Sequence, residues 1–166
     1  MTPATFRPAP MCTRIRLLTL ALLALPLVFV AIALSGTRLL LGPAAFLLVI
    51  YLWIWLWFRP TGFVVQPRVL EIVWPVRRRE IPRDDITAVR VIDRAELRRE
   101  VGRGMRVGAG GLGGGFGWLW TEKRGVVRMY VSRADRFVWI ERRSDRPWLI
   151  TPDRPEEFVR ALCYAV

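Results

Sequence analysis

Thr151-Pro152-Asp153-Arg154-Pro155-Glu156-Glu157-Phe158-Val159-Arg160-Ala161-Leu162 reads as the entry into a helix that closes a domain. Asp153 and Glu156 have the D-x-x-E spacing of a capping box, and Pro155 falls in the first turn, where its missing N–H costs little. A helix over 154–165 puts Phe158, Val159, Leu162 and Val166 on one side, an apolar stripe that has to cover something. The residues before it supply the surface. Val127, Met129 and Val131 alternate with Arg128, Tyr130 and Ser132, the period of a strand with one buried face. Residues 137–141 and 148–151 are further β-type runs, and upstream lie 69–74, 76–81 and 86–93. Pro75, Pro82, Gly125 and Ser144-Asp145-Arg146-Pro147 separate them as meander turns would. The pattern predicts an α+β unit, an antiparallel barrel or sandwich with one C-terminal α-helix.

Before residue 59 the composition changes. Two runs of twenty residues, 15–34 and 39–58, are uncharged apart from Arg16 near the start of the first. At about 1.5 Å per residue each reaches roughly 30 Å, the thickness of a bilayer core. Only Ser35-Gly36-Thr37-Arg38 joins them, so the chain must return to the side it left. Pro26 and Pro43 fall within the runs, as membrane helices tolerate. The expected division is an N-terminal tail over 1–14, a transmembrane hairpin over 15–58, and a domain over 59–166. A domain this small has no core that could surround both helices.

Charge gives the direction. Arg7, Arg14 and Arg16 precede or open the first run, Arg38 alone sits in the turn, and Arg59, Arg68, Arg77 and Arg78 follow the second. Arginine resists translocation, so both termini are expected in the cytoplasm, with the hairpin in the inner membrane. Ala31-Ile32-Ala33 has the form of a signal-peptidase site, but the apolar run exceeds a usual h-region. Cleavage would leave the second helix and the domain facing the same way. Tyr51, Trp53, Trp55, Trp57 and Phe58 crowd the exit of the second run, where amphipathic rings favour the headgroup level. Together with Arg14, Arg16, Arg59, Arg77, Arg78 and Arg79 they form the expected membrane-interface set.

The whole chain has 166 residues, 53% of them hydrophobic, with 26 Lys+Arg against 14 Asp+Glu and a net charge of +12. That length excludes a multidomain enzyme. With four of the cations before residue 59, the rest of the chain carries 22 cations and all 14 acids, a net of +8. A basic surface beside an anionic leaflet gains up to about 1 kcal/mol per well-placed arginine. No nucleic-acid recognition motif accompanies the charge, so nucleic acid is not the expected partner.

Catalysis has few materials. There is no histidine, which removes His-based triads and His-ligated metals. Asp84 and Asp85 are adjacent in a turn rather than disposed as an acid/base pair, and Lys123, the sole lysine, lies in the turn Thr121-Glu122-Lys123-Arg124-Gly125. Cys12 and Cys163, at opposite ends, support neither a disulfide framework nor a metal site. Between Gly108 and Gly117 the chain holds a literal G-x-G-x-x-G in Gly108, Gly110 and Gly113. Trp118-Leu119-Trp120 and a strand follow it where a dinucleotide site needs a helix, and no Gly-Lys-Ser/Thr completes a P-loop. No cofactor is expected. The segment reads as a glycine-rich loop or hairpin against the sheet. As a binding loop it would use Gly108, Gly110, Gly111, Gly113, Gly114, Gly115 and Phe116, whose backbone N–H groups could meet an anion or a partner.

The order of these pieces resembles the bacterial pleckstrin-homology (PH)-like domains that follow short membrane anchors. Gly62-Phe63-Val64-Val65, Val69-Leu70-Glu71-Ile72 and Arg78-Arg79-Glu80-Ile81-Pro82-Arg83-Asp84-Asp85-Ile86 carry it in the first half. The glycine-rich segment, 127–132, Val138-Trp139-Ile140 and 151–158 carry it in the second. The resemblance covers roughly 60–166 and implies a bent antiparallel barrel capped by the C-terminal helix. It implies no activity, because one fold hosts many functions. The expected function is a non-catalytic binding or scaffolding module that contacts a protein partner or a second copy beside an anionic membrane. The alternative is an accessory subunit of a transporter or membrane enzyme, acting through its hairpin.

Overall fold

The computed structural model describes residues 3–163. A short strand β1 (Ala4–Phe6) precedes two long helices, α1 (Thr13–Leu34) and α2 (Leu41–Trp57), joined through a 3-10 turn at Arg38–Leu40. The first helix spans 22 residues, and the turn with α2 another 20, so both are long and apolar enough to cross a membrane. Neither behaves as a core helix, since only 17% and 6% of their apolar windows are buried. Side chains such as Leu27, Leu39 and Val49 stand exposed on all sides of the hairpin.

The remaining chain gives β2 (Gly62–Val65), β3 (Val69–Val73), β4 (Arg78–Pro82), a 3-10 turn at Arg83–Asp85, and β5 (Ile86–Ile92). Helix α3 (Arg94–Val101) follows, then β6 (Gly104–Gly110), β7 (Gly115–Thr121), β8 (Gly125–Val131), β9 (Phe137–Arg142), β10 (Trp148–Ile150) and α4 (Pro155–Cys163). One sheet runs β1-β2-β3-β4 and the other β5-β9-β10-β8-β7-β6. The first is antiparallel throughout. In the second, β10 lies between β8 and β9, parallel to β8 and antiparallel to β9. The expected meander is corrected here: the turn at 143–147 folds β10 back along β9, and the 132–136 loop spans the gap that β10 fills.

Of the barrel or sandwich expected, the structure takes the sandwich, since its strands do not close into a ring. The two sheets face each other as a sandwich, and α4 fills the open side, where strand pairing would otherwise have to close the ring. Phe158 of α4 is fully buried and meets Phe6 edge-on at 5.2 Å, with Phe63 at 6.1 Å. Leu70, Ile72, Ile81, Val138, Ile140 and Ile150 complete this main core. A second apolar cluster, including Val127, Met129, Trp139 and Leu149, occupies the opposite face of the six-stranded sheet beneath α3.

The D-x-x-E spacing resolves differently from the sequence expectation. At 153–156 the helix begins at Pro155, so Asp153 stands one residue too early to cap it. Its carboxylate accepts the Arg154 N–H at 3.0 Å, and Glu156 pairs with Arg136. The same spacing at Asp93–Glu96 does form a capping box, on α3, with bonds of 2.7 and 3.0 Å. The end of the expected C-terminal helix, including Val166, lies outside the described residues.

The segment expected as a tail is stitched into the domain. Thr5 pairs with Val64 and Phe6 with Phe63, Ala9 N–H donates to Thr151 O at 2.8 Å, and Ser132 Oγ donates to Ala9 O at 2.6 Å. The hairpin therefore leaves from, and returns to, one sheet.

Candidate functional site

The junction of α2 and β2 gathers much of the expected interface set. Trp53 and Trp57, one helical turn apart, stack at 5.3 Å. The Arg59 guanidinium lies 4.1 Å from the centre of the Trp55 ring. Arg77 donates to the Trp57 carbonyl at 2.9 Å, with its guanidinium 4.6 Å from the Trp74 ring, while Trp74 Nε1 donates to Phe58 O at 3.2 Å. The last carbonyls of α2, which no helical N–H can reach, are thus satisfied by the domain. Burial pushes the Arg59 guanidinium below its ordinary pKa, and its Nη1 is buried without a hydrogen-bond partner. A buried donor of that kind normally finds an acceptor.

The rest of the set is dispersed. Arg14 and Arg16 stand exposed on the first turns of α1, which holds no acid there. Arg78 pairs with Glu71 at 3.3 Å on β4. Arg79 turns to Asp145 at 3.2 Å and lies over Trp148, with burial and then the Arg128 charge lowering its pKa. Asp145 also meets Arg142, which clamps Asp85 at 2.5 Å. Asp85 accepts the Ser144 N–H at 2.7 Å, and hydrogen bonding from the Ser144 side chain first, then from that N–H and from Arg142, outweighs burial and brings its carboxyl down to about 2. Lys123 Nζ donates to the Arg99 carbonyl at 3.1 Å near the end of α3. Asp85 and Lys123 thus tie loops to the fold.

The glycine-rich segment is the β6–β7 hairpin, and its tip rests on α1. The Thr19 hydroxyl donates to Gly111 O at 2.6 Å and accepts the Gly113 N–H at 3.0 Å. Gly111 adopts φ +96°, and a Cβ there would come within 2.8 Å of Leu22 Cδ1, so only glycine lets the loop lie this close. Gly113 faces Arg59, whose Nη1 would be 3.2 Å from an added Cβ. Gly111 through Gly115 and Phe116 are buried, whereas Gly108 and Gly110 belong to the edge strand β6. Thr19 was the available signal, the one hydroxyl in an apolar run.

One feature escaped sequence reasoning. On the outer face of the six-stranded sheet a groove of about 660 Å³ runs between α3, the β6–β7 hairpin and α1. Leu97, Val101, Leu119, Met129, Val131 and Phe137 make its apolar floor and sides, and Ile15 and Leu18 of α1 wall its far end. Its lining comes from residues 15 to 149, so no local pattern contains it.

No match is found among curated proteins or solved structures. A family model described as a bacterial PH domain matches residues 61–166, the span from β2 through both sheets to α4. Sandwich, capping helix and matched span agree, and the chain belongs to the bacterial PH domain family.

Proposed function

We propose that this chain is a membrane-anchored, non-catalytic binding module. Its hairpin spans the inner membrane, both termini lie in the cytoplasm, and its PH domain contacts a protein partner or a second copy beside an anionic leaflet. A bacterial PH domain favours binding over catalysis in general terms. The observation that carries the placement is the pairing of β1 with β2, which brings both ends of an exposed apolar hairpin to one sheet. The collar of Trp53, Trp55, Trp57, Arg59 and Arg77 at that junction supports it, because such rings and cations belong at the headgroup level. Arg14 and Arg16 oppose the α1 dipole, an arrangement that topology and anionic headgroups make favourable. The partner surface is supported by the edge strand β6 and its neighbour β7, where Met105 and Val107 of the first pair with Trp120 and Trp118 of the second in an exposed apolar patch.

The test uses the full chain with Cys12→Ser and Cys163→Ser, carrying either Gly36→Cys or Asp135→Cys, and a membrane-impermeant maleimide. Asp135→Cys should react in inverted vesicles and Gly36→Cys in spheroplasts; the opposite pattern overturns the orientation. A photocrosslinking residue at Val107 should yield a homodimer or one defined adduct in cells. Only the uncrosslinked monomer there would overturn the binding reading.

A further inference from the structure

We propose that the groove beside α3 holds one anionic phospholipid, its phosphate among the rim arginines and an acyl chain along the apolar floor. The inference deepens the proposed function and rests on its placing of the domain beside the bilayer. The rim carries Arg94, Arg98, Arg103 and Arg106, with Arg133 behind them. Several arginines elsewhere on the domain find carboxylates: Arg90 and Arg124 share Glu100, Arg142 holds Asp85, and Arg133 itself holds Asp135. Among the described residues, the four foremost rim arginines have no acidic side chain in ion-pair contact. An anion seated in the groove would meet all four charges.

The floor decides what kind of anion. Leu119, Met129, Val131 and Phe137 are buried, and the opening of about 660 Å³ above them falls within the roughly 300–1,000 Å³ of ligand sites. A free phosphate would satisfy the rim and leave the exposed Leu18 and the half-buried Ile15 and Leu97 of the walls wet. An acyl chain lying on the floor covers them. Ile15 and Leu18, on the first turns of α1, bound the groove, so a chain can pass into it from the bilayer edge without crossing water. A nucleic acid or an acidic peptide has no such route, and neither gains from the apolar floor.

The experiment places the full chain in nanodiscs of phosphatidylcholine with a minor fraction of phosphatidylglycerol, some of it bearing a photoreactive group on one acyl chain. Native mass spectrometry should find one phosphatidylglycerol retained per chain in preference to phosphatidylcholine, and peptide mapping should place cross-links on Leu97 and Met129. Arg98→Glu with Arg106→Glu should lower retention about fivefold per site, roughly 25-fold together. Ala134→Trp, at an exposed position on the rim, should lower cross-linking at Met129 and spare that at Val49 on the exposed hairpin. Equal retention of both lipids, cross-links confined to α1 and α2, or a second copy cross-linked in the groove would each overturn the proposal. The wild-type map needs no variant to fold. Nanodiscs expose both leaflets, so the groove is tested even where maleimide labelling refutes the orientation.

Discussion

Replacing Thr19 with valine keeps the shape of the side chain and removes the hydroxyl that joins α1 to the β6–β7 hairpin. Gly111 O and the Gly113 N–H, both on buried residues, lose the hydroxyl that bridges them and keep only their mutual bond of 3.2 Å. A buried backbone group without a partner costs about 1–3 kcal/mol, whereas side-chain hydrogen bonds inside bilayers average nearer 0.6 kcal/mol because the opened state finds new partners. Re-pairing is restricted here, since the loop holds φ of +96° at Gly111 and +80° at Gly113 with α1 packed beneath it. The bond that survives between Gly113 and Gly111 holds the expected loss to about 1–2 kcal/mol, or roughly five- to thirtyfold more frequent opening of the tip. Hydrogen–deuterium exchange of the full chain in nanodiscs reads this directly, by comparing peptides over 108–117 with those over 127–131. Thr19→Ser keeps the hydroxyl and gives up one methyl group, worth about 0.8 kcal/mol at most. Its exchange should stay near that of the wild type. Unchanged exchange in Thr19→Val, or equal acceleration in the serine and valine variants, would refute the reasoning.

Phe158→Ala should destabilise the full chain by about 3–5 kcal/mol in detergent melting, because the fully buried ring is what fills the open side of the sandwich. Asp93→Ala removes the cap of α3 and should cost about 1 kcal/mol, seen as faster exchange over 94–101. Acid titration followed by circular dichroism checks Asp85. Its carboxyl titrates at about 2 in the fold against 3.8 for the free group, so its stabilisation is whole above about pH 4 and is lost as pH falls toward 2. Asp85→Asn should therefore melt lower at neutral pH and show a shallower decline across that window.

The C-terminal stripe and the period-two strands were legible because each is a local pattern whose burial follows from the pattern itself. Phe158 and Leu162 are buried as that reading requires. Strand β1 was not legible, since Ala4-Thr5-Phe6 is three residues long and its partner strand lies beyond the hairpin. The two D-x-x-E spacings show the limit of a local signal. They differ only in their third residue, Ala95 against Pro155, and with α4 starting at that proline only Asp93 becomes a cap. At the interface, the aromatic and arginine residues around 53–59 were found by composition. Their division was not, because the carboxylates that claim Arg78 and Arg79, Glu71 and Asp145, come from another strand and another loop.

That division changes what the arginines can be for. Only residues 58–61 separate α2 from β2, and Arg77 and Trp74 hold the carbonyls at that exit. On the other side the Ala9–Thr151 bond comes just before α1 begins, and Thr19 ties the helix to the glycine-rich tip. The domain is fastened to the hairpin at three places, so its tilt follows from packing and needs no attraction to the leaflet. Arg59 and Arg77 serve the collar, and Arg79 and Arg142 serve the network around Asp85 and Asp145. Arg94, Arg98, Arg103 and Arg106 are gathered on one groove and, among the described residues, have no carboxylate in ion-pair contact. Reversing charge at those positions should alter what the domain binds and leave its attitude to the membrane unchanged.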